Sequence, residues 1–355
     1  MPIDRPLDPL FGVDDLDMGV DGLTVVEDQE IPEDSMLTEM DDGSMVVDFD
    51  PMAPEGESVD SFQSNLAEHI DDDELRSMAI DLISKFNADR SSRSDWEQTY
   101  EQGLDQLGLE IEERTTPWAG ACGVFHPMLS EAVVRFQSQT IQEIMPAQGP
   151  VKCHIWGTST PEVEKQAQRV KEYLNYQLIE VMTEYRSETE KLLFSLPLAG
   201  SAFRKIYFDP SLGRPSSMFV PAEDFVVAYN EADLEQAERY THTMTRSTNQ
   251  IRKLQVSGFY RDVELTPSDV EQNPVTNKYI EIGGVKPSWD KDERHQLLEM
   301  HVDMDLPGFE DQDGVALPYV ITIEKGSSTI LSIYRNWTED DPHRIKKQHF
   351  VHYGY

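Results

Sequence analysis

The chain has 355 residues, 67 of them acidic and 30 basic, for a formal net charge of −37, and only two cysteines. Protein this acidic repels nucleic-acid phosphate at long range, which excludes a basic groove wrapped around DNA. Two cysteines and no secretory signal point to synthesis in a reducing compartment rather than to a disulfide scaffold, and no apolar run reaches membrane-spanning length.

The charge is unevenly placed. Residues 1–75 carry 24 acidic side chains and one basic one, Arg5, whereas the other 280 residues carry 43 and 29. Residues 1–70 therefore read as a disordered acidic arm, with too little apolar surface to offset the entropy of ordering it. Short apolar islands at Leu23–Val26 and Met45–Phe49 interrupt it.

Region 71–200 reads as helical. Acidic residues at 71–74 suit a helix N-terminus, and Leu75, Met78, Leu82 and Phe86 follow at helical spacing. The stretch "ADRSSRSD" should break that helix, with Ser94 or Asp95 capping a second one striped by Trp96, Tyr100, Leu104 and Leu107 and closed by Gly108. After a charged segment, "PWAGACGVFHPM" (117–128) reads as a tight loop in which small residues let backbone pack closely and Pro127 opens the next helix. That helix presents Val133, Phe136, Thr140 and Ile144 on one face and ends at Pro146. A short strand is expected at Val151–Trp156. Ser159 and Glu162 with Pro161 then start a helix of more than six turns, striped by Val163, Ala167, Val170, Leu174, Leu178, Val181 and Tyr185, a pattern typical of core. Ser187 with Glu190 looks like a further capping box, for a helix stopping near Pro197 and Gly200.

Region 201–355 reads as β-rich. "SAFRKIYFDP" and "RYTHTMTRS" alternate as strands, Met218–Val220 and Phe225–Tyr229 are β-prone, and Ser247 begins a short helix that ends at Gly258. Residues 262–295, broken by Pro267, Pro274, Pro287 and Gly283-Gly284, read as a long exposed excursion. "HQLLEMHVDMDL" follows, and then a hairpin of "LPYVITIEK" and "STILSIYRN". The fold class is α+β, a helical first half followed by a β-rich second half.

Chemistry is sparse. Cys122 and His126 are four apart, but Gly123 and Pro127 work against the helix that would pair them, and nothing around the thiol supplies a cysteine-protease signature. Cys122, His126, Cys153 and His154 lack the spacing of structural zinc sites. Phosphate-loop, dinucleotide and nucleophile-elbow motifs are all missing from the sequence. The expectation is a protein without catalytic residues, metal or cofactor.

Several blocks in consistent order resemble the portal, or head–tail connector, proteins of tailed bacteriophages: "DWEQTYEQGLDQLG" (95–108), "PWAGACGVFHPMLSEAVVRFQSQTIQEIMPAQGPVKCHIWG" (117–157), "LAGSAFRKIYFDPSLGRP" with "VPAEDFVVAY" (198–229), "RYTHTMTRSTNQIRKLQVSGFY" (239–260) and "KKQHFVHYGY" (346–355). The resemblance covers roughly 75–355. It implies a ring, commonly of twelve copies, at a capsid vertex. Such a ring seeds head assembly, docks the terminase motor, meets capsid, scaffold and tail or head-completion proteins, and passes double-stranded DNA without sequence-specific contact. It also implies a place in the virion, with assembly in the host cytoplasm. Portal chains commonly continue past a segment like "HYGY", so a C-terminal truncation is expected. An acidic wall suits a conduit along which phosphates must slide. The competing expectation is an acidic capsid-associated or scaffold-type protein with no channel. If copies pack side by side, the charged flank of the 161–185 helix, Arg169 and Glu172 in particular, is the candidate subunit interface.

Overall fold

In the computed structural model, the described residues are 62–107, 115–123, 126–209, 212–231, 233–266, 273–282, 294–311 and 314–355, together with two short strands before them. Those strands, β1 (Met36–Glu39) and β2 (Met45–Asp48), pair antiparallel with Met36 opposite Asp48. They belong to a separate unit, Met1–Asp60. The disordered arm expected over 1–70 therefore needs correction at these β-prone stretches; its other residues up to 61 lie outside the described ones.

The second unit is mixed helix and strand. Helices α1 (Asp72–Ser92), α2 (Ser94–Asp105), α3 (Met128–Ile144), α4 (Pro161–Tyr176) and α5 (Tyr185–Ala199) come first, and then strands β3 (Ser201–Asp209), β4 (Arg214–Pro221), β5 (Phe225–Val227) and β6 (Arg239–Ser247). Helices α6 (Thr248–Val256) and α7 (Pro274–Ile282) precede β7 (Arg294–Met304), β8 (Leu317–Glu324), β9 (Thr329–Arg335) and β10 (Phe350–Gly354). Two antiparallel sheets result, one in the order β5-β6-β7-β8-β9 and the other β10-β3-β4.

Strand β7 is covered on both faces, and its alternation sorts two environments. Leu298, Met300 and Val302 join the core under α1, with Leu75, Ala79, Leu82 and Phe86. Leu297 points the other way, into a smaller cluster with Ile251 and Tyr260. On that second face Glu299 and His301 meet the other sheet: Lys205 Nζ of β3 lies 2.5 Å from both carboxylate oxygens of Glu299, and His301 Nε2 lies 3.2 Å from one of them. Burial alone would raise the Glu299 carboxyl, but the Lys205 ammonium and the hydrogen bond to His301 hold it well below the usual carboxylate range. Burial pushes His242 down to about 3 and His349 to about 4, so these imidazoles are neutral.

Segment 62–70 belongs to this body, contrary to the expected arm boundary at 70. Leu66, Ala67 and Ile70 are buried in the α1 core. The Asn65 amide donates to the Leu331 carbonyl at 3.0 Å, and its Oδ1 accepts from Ala67 N at 3.2 Å and Ile333 N at 2.9 Å. Its polar groups lock the segment onto β9.

Other boundaries also moved. The expected break at "ADRSSRSD" is only the residue Arg93, because α1 runs on to Ser92. The Arg93 guanidinium is buried and donates to the carbonyls of Ala222, Glu223 and Phe225 and to Glu97. Neither Ser94 nor Asp95 caps α2, and Gly108 lies outside the described residues. The exposed excursion over 262–295 contains α7, whose Val275 is fully buried beside Tyr100 and Leu104, and the Tyr279 and Tyr100 hydroxyls lie 2.6 Å apart. Its last two residues, Arg294 and His295, open β7. Much of the rest of that stretch (267–272 and 283–293) is outside the described residues.

Two outcomes are expected. Removing residues through 70, or replacing Asn65 with Ala, should destabilise the body, the substitution by roughly 2–4 kcal/mol in urea unfolding, since two buried N–H groups lose their acceptor. The second concerns acid. His242 stays neutral in the fold while the unfolded chain takes up a proton below about pH 6.5, so stability falls from there until the folded imidazole titrates near 3. Glu223 and Asp224, raised by burial to about 7 and about 6, act in the opposite sense, because their stability cost fades as pH falls. The comparison of parent with His242→Gln isolates the histidine: the variant should lose about 2 kcal/mol less between pH 7 and pH 4.5.

Candidate assembly surface

Helix α3 sits on α5. Phe136 and Ile141 pack on Leu192, Leu193 and Leu196, Gln137 Nε2 donates to the Glu190 carbonyl at 2.9 Å, and Ser130 Oγ donates to the Leu107 carbonyl at 2.5 Å. Only Val133 of α3 is buried; Val134 beside it is exposed, and so is Ile144, which was expected on the same face as Val133 but lies at the end of the helix.

Helix α4 differs more sharply from expectation. Pro161 opens it as predicted, but the cap is Thr160, which accepts from Val163 N, while Ser159 donates instead to the Glu164 carboxylate at 2.6 Å. The helix does not run unbroken to Tyr185. It ends at Tyr176, continues as a π-helical turn over Gln177–Val181, and gives way to α5, whose N-cap is Glu184 rather than the expected Ser187 box. Glu184 is fixed by Arg214, Ser216 Oγ and Ser217 N; the Arg214 hydrogen bond, the largest influence, pulls its carboxyl down to about 2.

No residue of α4 is buried. The stripe that should be core is only partly covered: Val163, Val170 and Leu174 are exposed, Val170 by 51 %, while Ala167, Leu178, Val181 and Tyr185 are half-buried; off the stripe, Tyr173, 61 % exposed, Tyr176 and Ile179 are open as well. Its polar hold on the body is Asn175, which accepts from Val151 N at 2.9 Å and donates to the Val151 carbonyl at 3.2 Å. Gly149 permits that approach, since a Cβ there would fall 2.3 Å from Asn175 Oδ1 and the residue has φ +90°. An amphipathic helix gains its stability by burying an apolar face, and this one has no cover among the described residues.

Segment 151–156, expected as a strand, pairs with no ladder, yet its side chains alternate: Val151, Cys153 and Ile155 are half-buried, while Lys152, His154 and Trp156 face outward. Trp156 is 95 % exposed. In the loop 117–128, Gly120 does not serve close packing. Gly120 is exposed and has open space where a Cβ would go, so its φ of +81° is what requires glycine, and only Gly123 is buried. Pro127 is the N-cap of α3, one residue ahead of the helix it was expected to open.

Arg169 and Glu172 are both exposed on α4, and Glu172 accepts from Gln168. Cys122, His126 and His154 are exposed and Cys153 half-buried; among the described residues, no three His, Cys, Asp or Glu side chains gather as metal ligands would. Sequence reasoning missed the open aromatics of α4 and Trp156. Only the alternation over 151–156 hinted at them. No protein-family model matches the chain, and no curated protein matches it.

Because Leu174 is open in the subunit, Leu174→Glu should leave the monomer folded, within about 1 kcal/mol of the parent, as should Arg169→Glu. Leu104→Glu, in the closed core, is the control and should unfold it. Thermal melts of the three variants check this.

Proposed function

We propose that the chain is a subunit of a phage portal ring, the conduit at the capsid vertex through which DNA enters and leaves the head. The observation that supports this reading most is the uncovered apolar face of α4. A structural subunit needs an exposed face that repeated copies can cover, and a heterologous contact made by each copy with the next generates a ring when its rotation closes. The acidic balance of the body, 43 acidic to 29 basic residues beyond residue 75, fits a wall that does not grip phosphate. Arg169 and Glu172 lie on the flank of the open face, where they would tune the docking of the neighbour rather than carry its energy. Terminase, capsid or scaffold protein, and tail or head-completion proteins are the partners this role entails.

Electron microscopy and native mass spectrometry of the purified chain test the proposal. Closed rings of about twelve copies around a channel that admits duplex DNA are expected, the copy number being that of the resembling proteins. Shells or sheets without a channel would favour the scaffold-type reading instead. A chain that remains monomeric at every concentration would count against both.

A further inference from the structure

A small cavity of about 190 Å³ opens beside the junction of α1 and α2. Trp96, Phe203, Phe225 and Leu234 contribute its apolar lining, and two further lining residues, Glu231 and Asp233, are exposed carboxylates. Its single Lys or Arg, Arg93, is already engaged by three carbonyls and Glu97. Ordinary small-molecule pockets run to about 300–1,000 Å³, so this one suits a single side chain better than a whole ligand. Its walls call for an aromatic group, and its carboxylates for a cation close by.

The same chain carries such a group. Trp156 stands almost wholly in solvent, and the alternation of segment 151–156 puts Lys152 and His154 on the same outward face. Gly157, at φ +99°, then turns the chain into α4. Among the described residues, the other largely exposed indole is Trp118, with no basic residue at 115–123 beside it.

We propose that Trp156 of one copy inserts into this cavity of the next, with Lys152 and His154 facing Glu231 and Asp233. The contact is heterologous, since knob and hole are different surfaces of one subunit, and it draws the adjoining α4 face into the interface. Buried tryptophan in a closely fitted pocket is the residue type that most often dominates a protein interface, while surrounding charge pairs set register and encounter rate. This inference rests on the self-assembly part of the proposed function.

Sedimentation velocity on the full chain, over a hundredfold range of concentration, tests it. The parent should associate reversibly, and Trp156→Ala should weaken association by roughly thirtyfold while leaving circular dichroism unchanged. Lys152→Glu and Glu231→Lys should each weaken it several-fold, and the double variant should return to within about twofold of the parent. Three results would overturn the proposal: Trp156→Ala associating like the parent, a double variant no better than its weaker single, or a parent that never associates. Rings that survive Trp156→Ala would leave the portal reading standing and remove this contact. Open filaments lost on Trp156→Ala would keep the contact and count against the portal reading.

Discussion

The ion pair between Lys205 and Glu299 is the point on which the body turns. Two separate sheets have to be joined, and a carboxylate is placed on the central strand of the larger one to meet an ammonium from the smaller. Both groups are largely out of water, so either alone would be costly to bury. Around them aromatic rings close the joint: Phe203 stacks on Phe225 with centroids 4.0 Å apart, Tyr240 stacks on His301 at 4.7 Å, and Phe350 of β10 meets Phe225, Tyr240 and His301. Neutral histidines complete the shell. The cluster faces the inside of the joint, where the ion pair and the stacked rings hold β3, β7 and β10 together.

With the sheets locked, the other helices find cover, whereas α4 has none among the described residues. Helix α1 lies on the five-stranded sheet, α2 and α7 enclose Tyr100 and Val275, and α3 and α5 pack on each other. Beyond the α3–α5 pair, α4 is held chiefly by Asn175 on Val151 and by its π-helical continuation. A π-turn shifts the register of the faces on either side, so the apolar stripe that leaves α4 does not run on in line into α5. Full burial of one valine or leucine contributes about 1.5–3 kcal/mol, so a partner covering Val170, Tyr173, Leu174 and Ile179 has a substantial drive to bind.

Much of this was legible in the residues. The α1 stripe, the α2 aromatics, the change of period at Ser201 and the hairpin of β8 and β9 all come from local pattern, and each element forms where its pattern lies. What local pattern lacks is the identity of the covering surface. The repeat from Val163 to Leu174 is the same whether a helix is covered by its own fold or by a neighbour, which is why it read as core. The boundary at residue 70 failed because 62–70, with Glu68 as its one acidic side chain, lies between the acidic arm and the acidic start of α1 and carries no periodic pattern, while its Asn65 is fixed by β9, far away in sequence. The excursion after residue 262 failed for a similar reason: its prolines and glycines signal breaks, and Pro274 in fact starts a helix. Arg93 and Glu299 carry no sequence signal for burial, since long-range carbonyls and a lysine on another sheet satisfy them. The candidate surface was half legible: Arg169 and Glu172 were picked for their charge, whereas the exposed aromatic groups beside them emerge only when the fold shows what it leaves uncovered.

The central claim is that the face running from segment 151–156 through α4 is covered by another copy of the chain. Hydrogen–deuterium exchange measured on dissociated and associated protein tests it most directly. The account predicts that amides over 151–181 exchange quickly in the monomer and become protected on association, while the β7 and β8 amides stay protected in both states. Association that leaves 151–181 exchanging as fast as before would contradict it.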